Sequence, residues 1–191
     1  MAYTPRLTDS GIRGNPKWYE LNPFYPRYQL PNCTCYAWGR WWEINDPNGY
    51  SRRPTLNTAG NAKAWWGNNI SRFDHGQTPQ LGAIICFAPP AGSSANGHVA
   101  VVEEIRNNGV IVTSNSYWYR GPNQQSYYFD LETLYPDSNN RYHHYGYTSQ
   151  GFLYNPYVDL TPEPTPEQEA AKRRDEFPWA VAFHHWSNFK H

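Results

Sequence analysis

The sequence has few cysteines, no excess of charge of either sign and no long apolar run. Its 191 residues include 3 Cys and 1 Met, and 16 Lys and Arg balance 16 Asp and Glu. This balance disfavours a nucleic-acid binder, which carries a basic excess, and an acidic disordered chain. An odd number of cysteines is not the pattern of a disulfide framework. Without the run of roughly 18 apolar residues that a transmembrane helix needs, no membrane insertion is expected.

Aromatic residues, in contrast, are abundant. The 9 Trp, 16 Tyr and 8 Phe make up 17% of the chain, which is far too much for a disordered protein. A chain of this length buries a core without disulfides or metals. The N-terminal segment has no apolar stretch that could form the core of a signal peptide. We therefore expect another route if the protein acts outside a cell.

The distribution of Pro, Gly and apolar residues divides the chain into three regions. Residues 1–29 are an irregular arm, residues 30–156 are the predicted domain, and residues 157–191 are a Pro-rich linker with an aromatic, basic tail. Within the domain, helical spacing predicts helices over 33–43 and 58–67. Strands are predicted at 81–88, 98–105, 110–119, 126–131, 142–148 and 151–156. Helices followed by a run of antiparallel strands are typical of the α+β class.

Two cysteines lie where the first predicted helix begins. Cys33 and Cys35 follow Asn32, a residue type that favours the N-cap position. A helix N-terminus carries unpaired N–H groups and a partial positive charge, which favour thiolate over thiol. The same N–H groups stabilise the oxyanion that forms when a thiolate attacks a carbonyl. Either cysteine of the pair is a candidate nucleophile, whereas Cys86, within an apolar strand, is predicted to be a core residue.

A thiol nucleophile needs a base, and His98 is the candidate. It opens the strand 98–105 at the edge of a loop, and Asn115 lies near the end of the next strand, across a turn at 107–109. A hairpin would bring the two side chains together. The amide of Asn115 would then accept the ring N–H and hold the imidazole in one tautomer. Glu103 lies about 17 Å along the same strand from His98, too far to contact the ring.

These segments resemble the CHAP domain, the cysteine- and histidine-dependent amidohydrolase/peptidase domain of phage and bacterial cell-wall lysins. The residues that match its nucleophile segment are Cys33, Thr34, Tyr36, Ala37 and Arg40. The segments that follow in the family's order are GNAKAWW (60–66), residues 79–87, GHVAVVEE (97–104) and GFLYNP (151–156). The resemblance implies a papain-like, NlpC/P60-type α+β fold. In that fold, N-terminal helices pack on an antiparallel sheet of about five or six strands.

The resemblance also implies roles for the three central residues. Cys33 corresponds to the nucleophile, His98 to the general base and Asn115 to the orienting group. Cys35 stands where the family usually has Trp, and papain-like enzymes carry Cys followed by Trp or Tyr, so Cys35 is the rival nucleophile. Asn32 is a candidate donor to the oxyanion beside the N–H of Cys33.

Aromatic residues and histidines near these positions suggest further contacts. Tyr117 and Trp118 follow Asn115 and are candidates for lining a groove for a sugar–peptide substrate, with packing as the alternative. Neither a metal nor another cofactor is expected, because the segment before Cys33 lacks the Asp-rich calcium-binding stretch of some CHAP lysins. The adjacent residues His143 and His144 would point to opposite faces of a strand. A cation site needs three or four converging ligands.

The predicted function is hydrolysis of an amide bond of bacterial peptidoglycan by a cysteine nucleophile. The bond is either the N-acetylmuramoyl-L-alanine amide or one within the peptides, cut by an endopeptidase. The resemblance implies a phage lysin released from the host cytoplasm by a holin, or a virion-associated lysin. Residues 157–191 are candidates for contact with other phage tail or lysis proteins. The alternative is a catalytically inactive wall-binding or structural tail module on the same scaffold.

Overall fold

The structure, a computed structural model, describes residues 3–117 and 128–158 of the chain. The helices α1 (Cys33–Asn45) and α2 (Trp65–Asn69) precede the sheet. The strands are β1 (His75–Gly76), β2 (Ile84–Ala88), β3 (His98–Ile105), β4 (Ile111–Asn115), β5 (Asp130–Leu134), β6 (His143–His144) and β7 (Tyr147–Leu153). Trp118 and the predicted tail from residue 159 onward lie outside the described residues.

Helix α1 begins where the sequence predicts. Asn32 has an extended backbone, and its Oδ1 accepts a hydrogen bond of 2.9 Å from the N–H of Cys35, which caps the first turn. Residues 34–42 of the helix are all buried, and Trp41 Nε1 donates a 2.8 Å hydrogen bond to the carbonyl of Gly82. The helix ends before Pro47, because a residue that precedes proline is disfavoured in the α region.

All seven strands belong to one antiparallel sheet. Their order is β1-β7-β2-β3-β4-β5, and β6 pairs with the start of β7. Helix α1 packs against the face of the sheet formed mainly by β2, β3 and β7. The predicted α+β class, with N-terminal helices on an antiparallel sheet, is confirmed.

Successive side chains of β3 contribute in turn to the two cores on opposite faces of the sheet. Val99 and Val101 lie in the Trp-rich core beneath α1, together with Cys86 of β2. Ala100 and Val102 face the opposite core, which includes Phe87. Successive side chains of a strand point to opposite faces, so one strand serves both layers.

Several local boundaries differ from the prediction: β1 was not predicted, and β5 runs to Leu134 where the sequence predicted an end at 131. Residues 62–64 form a 3₁₀ turn before α2, so the second helix begins later than predicted and runs beyond Gly67. The predicted strand 142–148 is a hairpin, in which Tyr145 and Gly146 link β6 to β7 with positive φ angles of 45° and 81°. Positive φ at both central residues is the geometry of a type I′ turn. None of the helices in residues 3–117 and 128–158 has the length and apolar character needed to cross a bilayer.

Candidate active site

Cys33 is the first residue of α1, and its half-buried side chain lies against the start of β3. Burial raises the pKa of its thiol to about 11, although the backbone N–H groups of Val99, Thr34 and Cys33 hydrogen-bond to the sulfur and lower the pKa. The N–H groups at the helix start therefore act in the predicted direction, but burial outweighs them. In this arrangement the neutral thiol is the resting form near pH 7.

His98 and Asn115 lie side by side at the ends of neighbouring strands. The distance from His98 Nε2 to Asn115 Oδ1 is 3.2 Å, and Asn115 Nδ2 donates to the carbonyl of Asp130 at 3.5 Å. Because the amide oxygen only accepts, this contact assigns the ring proton to Nε2 and leaves Nδ1 as the basic nitrogen. The sequence predicted this pairing, and the β3–β4 hairpin produces it.

The environment of His98 keeps its ring neutral. Burial lowers the pKa of His98 well below 6.5, charge on His144 lowers it further, and the hydrogen bond with Asn115 raises it. Only 5% of His98 is exposed. The backbone N–H of Val99, the residue that follows His98, is among the groups that act on the Cys33 thiol.

The other two cysteines have different surroundings. Cys35 is fully buried, and its thiol donates to the carbonyl of Trp18 at a distance of 3.4 Å. Burial raises the pKa of Cys35 and also that of Cys86. Cys86 lies in the core under α1, as the sequence predicts. This geometry favours Cys33 over Cys35 as the nucleophile.

Asn32 caps the N-terminus of α1, in addition to its predicted role as a donor to the oxyanion. Its Oδ1 accepts from the backbone N–H of Cys35 at 2.9 Å and from the hydroxyl of Thr34 at 2.6 Å. The oxygen is thus committed to capping α1. The amide nitrogen is the group that would donate to an oxyanion near Cys33, and this role stays a prediction.

Tyr117 is placed beside the base. Its ring stacks on that of His98 with centroids 5.4 Å apart and planes 11° apart. Its hydroxyl donates to Glu132 Oε2 at 3.3 Å. Tyr117 therefore packs against the imidazole, and the groove-lining role proposed for it and for Trp118 stays a prediction.

The sequence analysis missed two residues of this cluster, His144 and Glu132. The ring of His144 lies 4.2 Å from that of His98, centroid to centroid, and its Nδ1 is 2.7 Å from Glu132 Oε2. Its neighbour His143 is exposed on the other side of β6 and pairs with Asp137. The alternation of adjacent strand residues, which argued against a metal site, was also the signal that one of the two histidines faces inward.

The described part of the chain contains no cluster of three or more His, Cys, Asp or Glu side chains suited to a metal ion. A buried ion pair lies behind the site. Arg40 of α1 donates to both oxygens of Glu103 at 2.9 Å, and Ser114 donates to Glu103 at 2.6 Å. The pair ties the helix that carries Cys33 to the two strands that carry His98 and Asn115.

Part of the chain is similar to known proteins. No curated protein matches the chain. Among solved structures, the chain is similar to an N-acetylmuramoyl-L-alanine amidase from Staphylococcus aureus, with 23% identity and a TM-score of 0.43. The similarity covers 63% of this chain and 30% of the amidase chain, so this chain spans less than a third of that protein. The CHAP domain family model matches residues 24–116, a segment that includes Cys33, His98 and Asn115.

Proposed function

We propose that the protein is a peptidoglycan hydrolase that cleaves an amide bond with Cys33 as its nucleophile. One observation carries the proposal: Cys33 opens helix α1 close to the start of β3, where His98 is hydrogen-bonded to Asn115. Nucleophile, base and orienting amide thus come from α1, β3 and β4, and they are the three groups that acyl transfer by a thiol needs. The CHAP domain match over residues 24–116 supports peptidoglycan as the substrate.

The resting charge state determines how the reaction begins. Since the pKa of the Cys33 thiol is raised to about 11 and the pKa of His98 is lowered, the thiol keeps its proton until it attacks. His98 Nδ1 takes that proton as the sulfur bonds to the carbonyl carbon. The carbonyl π electrons move to the oxygen, which becomes an oxyanion near the N-terminus of α1.

The second half of the reaction returns the proton. The tetrahedral intermediate collapses, the C–N bond breaks, and the imidazolium of His98 protonates the leaving amine. Water then attacks the thioester while His98 accepts its proton, and the products are a carboxylic acid and the free thiol of Cys33. Throughout, Asn115 keeps Nε2 protonated and the ring in one orientation.

Digestion of purified peptidoglycan followed by mass spectrometry of the fragments tests the function. A new free lactyl carboxyl group paired with a free L-Ala amine identifies the amidase, and new peptide ends identify the endopeptidase. Cys33→Ala is expected to abolish cleavage, and Cys35→Ser, which changes a buried thiol two residues away, is the matched control. Native cleavage by Cys33→Ala would refute the mechanism. Co-sedimentation of the wild-type protein with walls without new fragments would support the inactive wall-binding module instead.

We further propose, on the resemblance of the sequence to lysin domains, that the protein acts as a phage lysin or a virion-associated lysin. Purified protein added to intact cells and to purified walls distinguishes this role from a function within the cell. We expect the protein to lyse purified walls. We expect it to lyse intact cells only when it can reach their peptidoglycan. Cleavage of small soluble amides without any action on walls would contradict it.

A further inference from the structure

The base His98 lies within a stack of rings. The His144 ring is 4.2 Å away with planes 15° apart, and the Tyr117 ring is 5.4 Å away with planes 11° apart. Phe87 of β2 adds a tilted contact at 6.2 Å. His144 is itself only 3% exposed, so its ring is fixed by packing.

Resting on the function proposed above, we propose that His144 is a positioning residue, which holds the plane of the His98 imidazole against Asn115. Asn115 provides one hydrogen bond to Nε2. One such bond fixes a single ring atom and leaves the ring able to pivot about it. A flat partner in near-parallel contact opposes that pivot, and thereby keeps Nδ1 aimed at one location.

Glu132 of β5 explains why His144 can serve this purpose. Its Oε2 lies 2.7 Å from His144 Nδ1 and accepts the hydroxyl of Tyr117 at 3.3 Å. One carboxylate oxygen therefore anchors both aromatic neighbours of the base. Charge-assisted hydrogen bonds of this kind are stronger and more directional than neutral ones.

The stack also influences the charge of His98. The groups that face it are the amide of Asn115 from β4, the phenol of Tyr117 after β4 and the imidazole of His144 from β6. Behind these, Asp130 and Glu132 of β5 face Tyr117, and Tyr145 packs edge-on against His144. A proton on His144 opposes a second proton on His98, which agrees with the lowered pKa of His98.

The test compares His144→Phe with His143→Phe. Phenylalanine keeps a flat ring but has neither a proton to carry nor a hydrogen bond to Glu132. His143 is the matched control because it is the adjacent residue of β6, is 52% exposed and pairs with Asp137. Two readouts are measured against pH: release of dye from dye-labelled purified peptidoglycan, and the rate of alkylation of Cys33 by iodoacetamide, located by mass spectrometry.

For His144→Phe we expect the acid limb of both profiles to move to higher pH by about half a unit or more, since the opposing charge is gone. The rate at the optimum is expected to fall about tenfold through loss of alignment. Glu132→Gln keeps a side chain of the same shape and is expected to give a smaller fall. His143→Phe is expected to match the wild-type protein in both profiles.

An unchanged rate at the optimum in both His144→Phe and Glu132→Gln would overturn the proposal and leave His144 as a packing residue. If circular dichroism shows that His144→Phe does not fold, Glu132→Gln decides alone. Failure of the wild-type protein to cleave peptidoglycan would instead defeat the proposed function. The alkylation profile needs no substrate, so it still tests the stack in that case.

Discussion

Ser114 donates a 2.6 Å hydrogen bond to Oε1 of Glu103, and it immediately precedes Asn115 in β4. Glu103 is completely buried in β3 and accepts two hydrogen bonds of 2.9 Å from Arg40 of α1. One carboxylate thus connects the three elements that carry Cys33, His98 and Asn115. The alignment of the site depends on this charged centre as well as on the apolar core.

The first prediction concerns Arg40. Replacement of Arg40 by Met leaves the carboxylate of Glu103 buried without its cation, so the free energy of unfolding is expected to fall by about 3–5 kcal/mol. Urea denaturation measures this change. Arg106→Met is the control, because Arg106 is 53% exposed in its ion pair with Glu104, and a loss below about 1 kcal/mol is expected there. Equal losses in the two variants would contradict a special role for the buried pair.

The second prediction concerns the glycine before His98. Gly97 has φ of +74°, and a Cβ on it would lie 2.6 Å from the carbonyl oxygen of Phe87 and 2.8 Å from the nitrogen of Lys63. Gly97→Ala is therefore expected to displace the start of β3 and to lower both stability and cleavage. Gly92→Ala is the control without a clash, because Gly92 has a similar φ of +78° but nothing within 4 Å of the added Cβ. It is expected to cost about 1 kcal/mol through its backbone conformation alone and to keep activity. Thermal unfolding and the dye-release rate are measured for both, and matching results would rule out the clash.

The third prediction separates the two roles of Asn32. Asn32→Ser keeps an N-cap oxygen for the N–H of Cys35 but removes the amide donor, so the free energy of unfolding is expected to change by no more than about 0.5 kcal/mol. If the amide donates to the oxyanion, kcat falls by about 10²–10³-fold. Asn32→Ala removes both groups and is expected to lose stability as well. Wild-type kcat in the serine variant would restrict Asn32 to capping.

The fourth prediction concerns pH. The pKa of His98 lies well below 6.5, so the neutral base is already present at pH 6.5, and kcat/KM is expected to hold there and to decline only at lower pH. The free energy of unfolding is also expected to fall at low pH, because this histidine binds a proton more readily in the unfolded chain than in the folded protein. The contribution is complete above pH 6.5 and is lost as the pH falls below it. His98→Gln should remove that part of the pH dependence of unfolding, and an unaltered dependence would disprove the assignment.

Local patterns predicted much of the site. The N-cap residue Asn32 fixed the start of α1 at Cys33, and the turn at 107–109 brought His98 to Asn115. These relationships depend on a helix start and a hairpin, both of which involve residues near in sequence or linked by a short turn. The α+β class followed from the order of the same elements.

The features that escaped prediction are all non-local. His144 reaches His98 only because β6 folds back on β7, and Glu132 reaches His144 only because β5 pairs with β4. The sequence predicted a lowered pKa for Cys33 from its place at the helix terminus. The pKa is raised instead, because the assembled core buries the thiol. The spacing of residues along the sequence does not show how deeply the thiol of Cys33 is buried.

The raised pKa of Cys33 has a consequence for the durability of the protein. Peroxides and other oxidants attack thiolates far faster than thiols, so a cysteine that stays protonated is spared sulfenic and sulfinic acid formation. Cys33 remains protonated until a carbonyl arrives, whereas an enzyme with a preformed thiolate is exposed to oxidants continuously. We therefore expect the protein to keep its activity during storage in air and in the presence of dilute hydrogen peroxide.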